Sequence, residues 1–215
     1  MNKTKIEWTN YSWNPITGCK HGCWYCYAKK LFTRFHKSFE PTFHPERLKE
    51  PYDLKKPSKI FVCSVADLFA PWTPIEWTNQ VFKSMIDCPI NHQWQLLTKN
   101  PERIPRHPYP MNWWIGSTVT EESEAWKIDV IRNLGCGVRF ISFEPLLGQI
   151  RPDLENVDWV IIGKLTGSKK VKLHRDWVTS ILAECEFHNI PVFLKNNLGY
   201  GKLTQEFPKV NEKNV

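Results

Sequence analysis

Six short runs, each almost continuously apolar, set the tightest limit on how this chain can fold. They are Lys59–Val65, Trp94–Thr98, Trp113–Val119, Val138–Phe143, Trp159–Ile162 and Pro191–Leu194. A strand with one solvated face alternates polar and apolar residues, whereas a strand covered on both faces does not, and continuous runs of this kind belong to parallel sheets. A further strand is expected through Tyr11–Ile16. Polar hinges and amphipathic stretches separate the runs. Thr73-Pro74-Ile75-Glu76 reads as cap, first-turn proline and capping-box acid ahead of a helix over Trp77–Ile86. Thr120-Glu121-Glu122 opens a second helix through Leu134, stopped by Gly135, and Asp176–His188 forms the last. Strands alternating with helices imply an α/β fold. The expected architecture is a (β/α) barrel, partial or closed, with about six to seven parallel strands. An open doubly wound sheet is the alternative, although no glycine-rich dinucleotide turn follows the first strand. The whole chain, 1–215, reads as one domain. Residues 35–57, rich in proline and charge, read as a long connection or lid, and 208–215 as a frayed tail.

Of the 215 residues 41% are hydrophobic, enough for one packed core. Lysine and arginine number 29 against 22 acids, so the net charge is 29 − 22 = +7, which favours anionic partners. No apolar stretch approaches the roughly 18 residues needed to cross a bilayer. Met1 to Asn10 are polar and charged, so no secretory leader is expected and the setting reads as cytoplasmic.

Seven cysteines cannot all pair with one another. Cys63, Cys88, Cys136 and Cys185 are scattered, but Cys19, Cys23 and Cys26 fall within eight positions as Cys-x3-Cys-x2-Cys, between an expected strand and an expected helix. That crowding points to a reducing compartment and a metal site. Three thiolates can hold three irons of a 4Fe-4S cluster and leave the fourth iron open to an exogenous chelator. Structural zinc would need a fourth ligand, which His21 or His36 could supply, yet such sites usually draw on ligand pairs separated by a loop. Inert buried thiols are a third reading, at odds with the lysine and histidine between them.

The cysteine pattern at the end of a first strand resembles that of the radical S-adenosylmethionine superfamily. The runs Glu7-Trp8-Thr9, Ser12-Trp13-Asn14-Pro15-Ile16-Thr17-Gly18-Cys19 and Cys63-Ser64-Val65-Ala66-Asp67-Leu68-Phe69 resemble more closely a phage and prokaryotic three-cysteine branch of unassigned reaction. So do Leu97-Thr98-Lys99-Asn100-Pro101-Glu102-Arg103, Ile141-Ser142-Phe143-Glu144-Pro145-Leu146 and Val192-Phe193-Leu194-Lys195-Asn196, in order along nearly the whole chain. The resemblance implies that Cys19, Cys23 and Cys26 hold a 4Fe-4S cluster and that S-adenosylmethionine chelates its fourth iron. It further implies one-electron cleavage to methionine and a 5′-deoxyadenosyl radical, which takes a hydrogen atom from the substrate. An electron donor such as a ferredoxin or flavodoxin would then be a partner. Many relatives carry a glycine-glycine-glutamate-serine-glycine run where this chain has Gly163-Lys164-Leu165-Thr166-Gly167, which removes a carboxylate there and implies a different ligand contact. No auxiliary-cluster domain is expected.

In a (β/α) barrel the ligand site lies at the carboxyl ends of the strands. Those ends carry Ser64, Asp67, Lys99, Ser117, Glu144, Lys164, Lys195 and Asn196 as candidate cofactor-binding residues. Asp67 or Glu144 suits the methionine ammonium, and Lys99, Lys164 or Lys195 its carboxylate. Strand ends are also polar merely because the chain emerges into solvent, and Glu144 and Lys195 could pair with each other as structural support. Trp8, Trp13 and Trp24 flank the cysteines among Lys20, Lys29, Lys30 and Arg34, an interleaving that can stack bases and meet phosphates. Trp77, Trp94, Trp114, Trp126, Trp159 and Trp177 fall on expected core stripes. Two functions therefore stand: a radical enzyme of unassigned substrate, nucleic acid or nucleotide among the candidates, and a zinc- or cluster-bearing nucleic-acid-binding protein without catalysis.

Overall fold

A computed structural model describes residues 1–166, 171–199 and 204–209. The chain forms two compact units, Met1–Thr98 and Lys99–Val215. In the first, the strands are β1 (Asn2–Lys3), β2 (Tyr11–Trp13), β5 (Lys59–Val62) and β6 (Gln93–Thr98). β1 runs antiparallel to β2, whereas β2 pairs with β5 and β5 with β6 in parallel. A separate antiparallel ribbon joins β3 (Ile16–Thr17) to β4 (Thr42–Phe43). Helix α1 (Tyr27–Arg34) follows β3, and α2 (Ile75–Ile86) carries the chain from β5 to β6. Trp13, Ile60 and Trp94 are fully buried here, the two indoles 5.6 Å apart.

In the second unit β7 (Trp113–Thr118), β8 (Val138–Leu146), β9 (Trp159–Lys164) and β10 (Val192–Leu194) pair successively in parallel. Helix α3 (Trp126–Arg132) joins β7 to β8, and α4 (Arg175–Phe187) precedes β10. Phe140, Ile141, Trp159 and Ile161 are fully buried, and α4 buries Val178, Ile181 and Cys185. The α/β class and the mainly parallel pairing agree with the apolar runs: three strands of the first unit and four of the second have parallel partners. No helix of the described residues is long and apolar enough to cross a membrane.

Several local expectations are corrected. The first strand stops at Trp13, and Ile16 belongs to the β3–β4 ribbon, because Pro15 has no N–H to continue a ladder. Strand β5 stops at Val62, since Cys63 adopts a left-handed φ of 59° that no extended ladder accommodates. Thr73 does not cap α2: its hydroxyl donates to the Asp67 carbonyl, and Pro74 takes the cap position without a side-chain bond. The helix expected over 120–134 is a 3-10 turn at Glu122–Glu124 followed by the shorter α3, and Trp126 at its start is exposed. Trp77 and Trp177 are half-buried, whereas Trp94, Trp114 and Trp159 are core as expected. Trp8 and Trp13 are also core, which leaves Trp24 as the exposed indole beside the cysteines. The connection 35–57 carries β4 and two 3-10 turns, Pro45–Arg47 and Glu50–Asp53. The connection from β8 to β9 carries no helix, a break in the expected alternation. Of the expected tail, 208–209 has no regular structure and 210–215 lies outside the described residues, as do Gly167, Lys169 and Lys170.

Candidate metal centre and strand-end polar sites

The root of the cysteine loop is sewn to its neighbours by backbone bonds. Gly18 donates to the Val65 carbonyl at 3.2 Å and Cys19 to the Phe39 carbonyl at 3.1 Å. Gly18 must be glycine. Its φ is +86°, and a Cβ there would lie 2.2 Å from the Glu40 carbonyl oxygen. The far end of the loop is organised by helix formation. Cys26 is the N-cap of α1, its sulfur accepting from the Lys29 N–H at 3.3 Å, while its own N–H donates to the Cys23 carbonyl at 3.0 Å. Helix α1 ends with His36 in the left-handed region at φ 51° and Lys37 N–H returning to Phe32 O, a Schellman closure.

The three thiols are half-buried and free of disulfides. Burial pushes the Cys19 thiol up to about 11, with the negative charges of Asp67, Cys23 and Cys26 adding to the effect and a backbone hydrogen bond at His21 opposing it. Metal uptake at Cys19 therefore releases a proton at neutral pH. Five cations, Lys20, Lys29, Lys30, Arg34 and Lys37, share residues 20–38, which contain no aspartate or glutamate. A groove of ≈ 560 Å³ is lined by Cys23, Trp24, Cys26, Lys29, Lys30 and Arg34, among others.

Asp67 holds the middle of the loop. It is only 5% exposed, and its Oδ2 accepts from His21 Nε2 at 2.9 Å. Its Oδ1 accepts from the Thr98 hydroxyl at 2.7 Å and from the Phe69 N–H at 3.1 Å. The His21 ring also meets Trp72 edge-on at 4.8 Å. Ser64 donates through its hydroxyl to Asn14 Oδ1, which also accepts from Val65 N–H, and the Tyr27 hydroxyl donates to the Ser64 carbonyl. Ser64 and Asp67 thus support the cysteine loop as much as they could face a ligand. Thr98, the polar end of β6, and Asn14 also build this environment, as does Trp72, which carries no periodic or spacing signal in the sequence.

The remaining candidates lie in the second unit. Ser117 is fully buried inside β7, and Lys99 directly follows β6. Glu144 on β8 and Lys195 after β10 form an ion pair, the structural pairing foreseen for them. Gly163 on β9 makes room for it: a Cβ there would lie 2.9 Å from Lys195 Cδ and 3.1 Å from Glu144 Cδ. Lys164 ends β9, its N–H and C=O both held by the Asn197 amide, and it lines a cavity of ≈ 380 Å³ with Lys172 and Arg175. Asn196 is exposed and accepts from Gln205 Nε2 at 3.1 Å. Glu144 and Lys195 therefore come together, Lys164 is tied near them through Asn197, and Asn196 points elsewhere. Gly163 and Asn197 were not singled out as partners of this arrangement.

Among the described residues, Asp153, Glu184 and His188 form the group of potential ligands whose atoms all lie within 4.8 Å of one another. Asp153 is already paired with Arg132 at 2.8 Å, and Glu184 accepts from Leu154 N–H, so this is an ion-pair network. Cys19, Cys23 and Cys26 do not form such a group. A family model described as a protein of unknown function, DUF5131, matches residues 3–214. No curated protein and no solved structure matches the chain.

Proposed function

We propose that this chain, which belongs to the DUF5131 family, is a cytoplasmic radical S-adenosylmethionine enzyme on a partial or closed (β/α) barrel, its substrate unassigned. The observation that carries the reading is the donor set. Three half-buried thiols, free of disulfides, stand on one loop at Cys-x3-Cys-x2-Cys spacing, one thiolate short of the four ligands that a closed structural zinc site takes. Cys19, Cys23 and Cys26 would hold a 4Fe-4S cluster, which together with bound S-adenosylmethionine would supply one-electron cleavage of the sulfonium and hydrogen-atom abstraction from substrate. Asp67 fixes the loop through His21, and Lys29, Lys30 and Arg34 offset the negative charge that thiolate ligands bring. Lys164, Lys172 and Arg175 offer cations to a carboxylate. Glu144 can receive an ammonium group only when Lys195 yields its place. A ferredoxin or flavodoxin would deliver the electron.

Anaerobically purified protein should be brown, carry about four irons and four sulfides per chain, and form 5′-deoxyadenosine on reduction with S-adenosylmethionine. Cys19→Ala, Cys23→Ala and Cys26→Ala should each abolish the iron, while Cys88→Ala retains it. Equal iron loss in all four variants would undo the assignment. The His21–Asp67 bond favours a second reading, zinc-dependent nucleic-acid binding without catalysis. Metal-bound histidines commonly donate their other ring N–H to a carboxylate, and His21 is so arranged with Nδ1 turned from Asp67. A colourless protein holding one zinc that is lost in His21→Ala would establish it.

A further inference from the structure

Helix α1 buries a single side chain, Ala28. Its outer surface and approach carry Trp24 at 47% exposure, Tyr27 at 58% and Phe35 at 60%. Packing does not account for such a surface, because large aromatic side chains normally gain stability by burial. Lys29, Lys30 and Arg34 lie between Tyr27 and Phe35, and among the described residues no carboxylate forms a salt bridge with any of the three. The ≈ 560 Å³ groove brings three cations, one exposed indole and two of the cysteines to one wall. A cluster of thiolates alone would explain the cations. It does not explain the indole.

We infer that this groove binds single-stranded nucleic acid, with Trp24 stacking a base and Lys29, Lys30 and Arg34 contacting consecutive phosphates. Aromatic faces interleaved with cations match the alternation of base and phosphate along a strand. An intact duplex keeps its bases stacked and offers Trp24 no free face. The inference deepens the function proposed above by naming the substrate class of that site, and it rests on that reading only for what is done to the bound strand.

The test is fluorescence anisotropy of the full chain, as isolated, with a short fluorescein-labelled oligothymidylate. Three phosphate contacts give a salt slope near −2, about a twentyfold loss of affinity between about 50 and 200 mM salt. The triple variant Lys29→Glu, Lys30→Glu, Arg34→Glu should lose at least about tenfold, and Trp24→Ala about fivefold or more, with Trp24→Phe recovering most of it. Lys83→Glu, on an exposed face of α2, should bind as the native chain does. The proposal is overturned if the triple variant, folded by circular dichroism, binds like the native chain. Equal affinity for a duplex of the same length would also overturn it, as would equally effective competition by polyglutamate, which would mark an acidic protein as the occupant. Iron content and 5′-deoxyadenosine are measured on the same samples. Lost binding with an intact cluster then falls on the groove alone, and absent radical chemistry with intact binding falls on the function alone.

Discussion

Removing the Asp67 carboxylate should be costly out of proportion to its size. In Asp67→Ala the Thr98 hydroxyl and the Phe69 N–H lose their acceptor, and His21 loses its anchor. Hydrogen bonds to a charged acceptor contribute roughly 1.5–3 kcal/mol each, and a buried donor left unpaired costs about 1–3 kcal/mol. Relief from burying the carboxylate, at 5% exposure, offsets part of the sum. We expect a net loss of about 3–5 kcal/mol for Asp67→Ala. Asp67→Asn keeps a carbonyl oxygen for Thr98 and Phe69, so it should lose only about 1–2 kcal/mol. Urea unfolding followed by tryptophan fluorescence at neutral pH measures both. Alkylation of Cys19 in metal-free protein provides the local readout and should accelerate in the alanine variant, as the loop is released from its anchor. A loss under about 1 kcal/mol for alanine, or equal losses for alanine and asparagine, would refute the view that Asp67 organises the loop through these bonds.

Three further outcomes follow from other parts of the molecule. Gly163→Ala should cost about 1–3 kcal/mol in urea unfolding, because the new methyl would crowd both Lys195 and Glu144; combining it with Lys195→Ala should recover part of the loss. Burial works to raise the Glu124 carboxyl, but hydrogen bonds from Lys127 and Thr120 outweigh it and hold it below the ordinary glutamate range. The depressed value means that Glu124 stabilises the fold above the ordinary range and loses that contribution as pH falls through its own. The stability difference between the native chain and Glu124→Gln should therefore be fully present at neutral pH and vanish in acid; a pH-independent difference would refute it. Burial pushes the Cys63 and Cys185 thiols up to about 12, so mass spectrometry after mild alkylation at pH 8 should find both unmodified until the protein is unfolded.

The parallel strands were legible because a run such as Trp159–Ile162 has no polar residue to turn toward water. The cysteine loop was legible by spacing alone, and so was the Glu144–Lys195 pair, since each residue directly follows a strongly apolar run; Glu144 nevertheless lies inside β8, which continues to Leu146. What escaped the sequence depends on contacts across long separations. His21 and Asp67 stand 46 residues apart, and nothing local to either announces the bond. The misplaced cap of α2 has the same origin: Thr73 has the right residue type, but the Asp67 carbonyl six residues earlier captures its hydroxyl. Trp126 was read as core because a helix from Thr120 would put it on the inner stripe. The 3-10 turn at Glu122–Glu124 changes the phase, and the indole emerges into solvent. Cys63 gave no warning of its left-handed backbone, a conformation rare for a side chain of any size.

The cysteine loop grips unequally at its two ends. Cys19 grows from a backbone clamped on both sides, beneath a carbonyl that admits no side chain at Gly18. Cys26 caps instead the two-turn helix α1, which buries one alanine, and Cys23 sits in the turn before it. One end is set by the backbone of neighbouring segments and the other by a helix terminus, so a substitution in α1 should disturb Cys26 while leaving the seat of Cys19 intact.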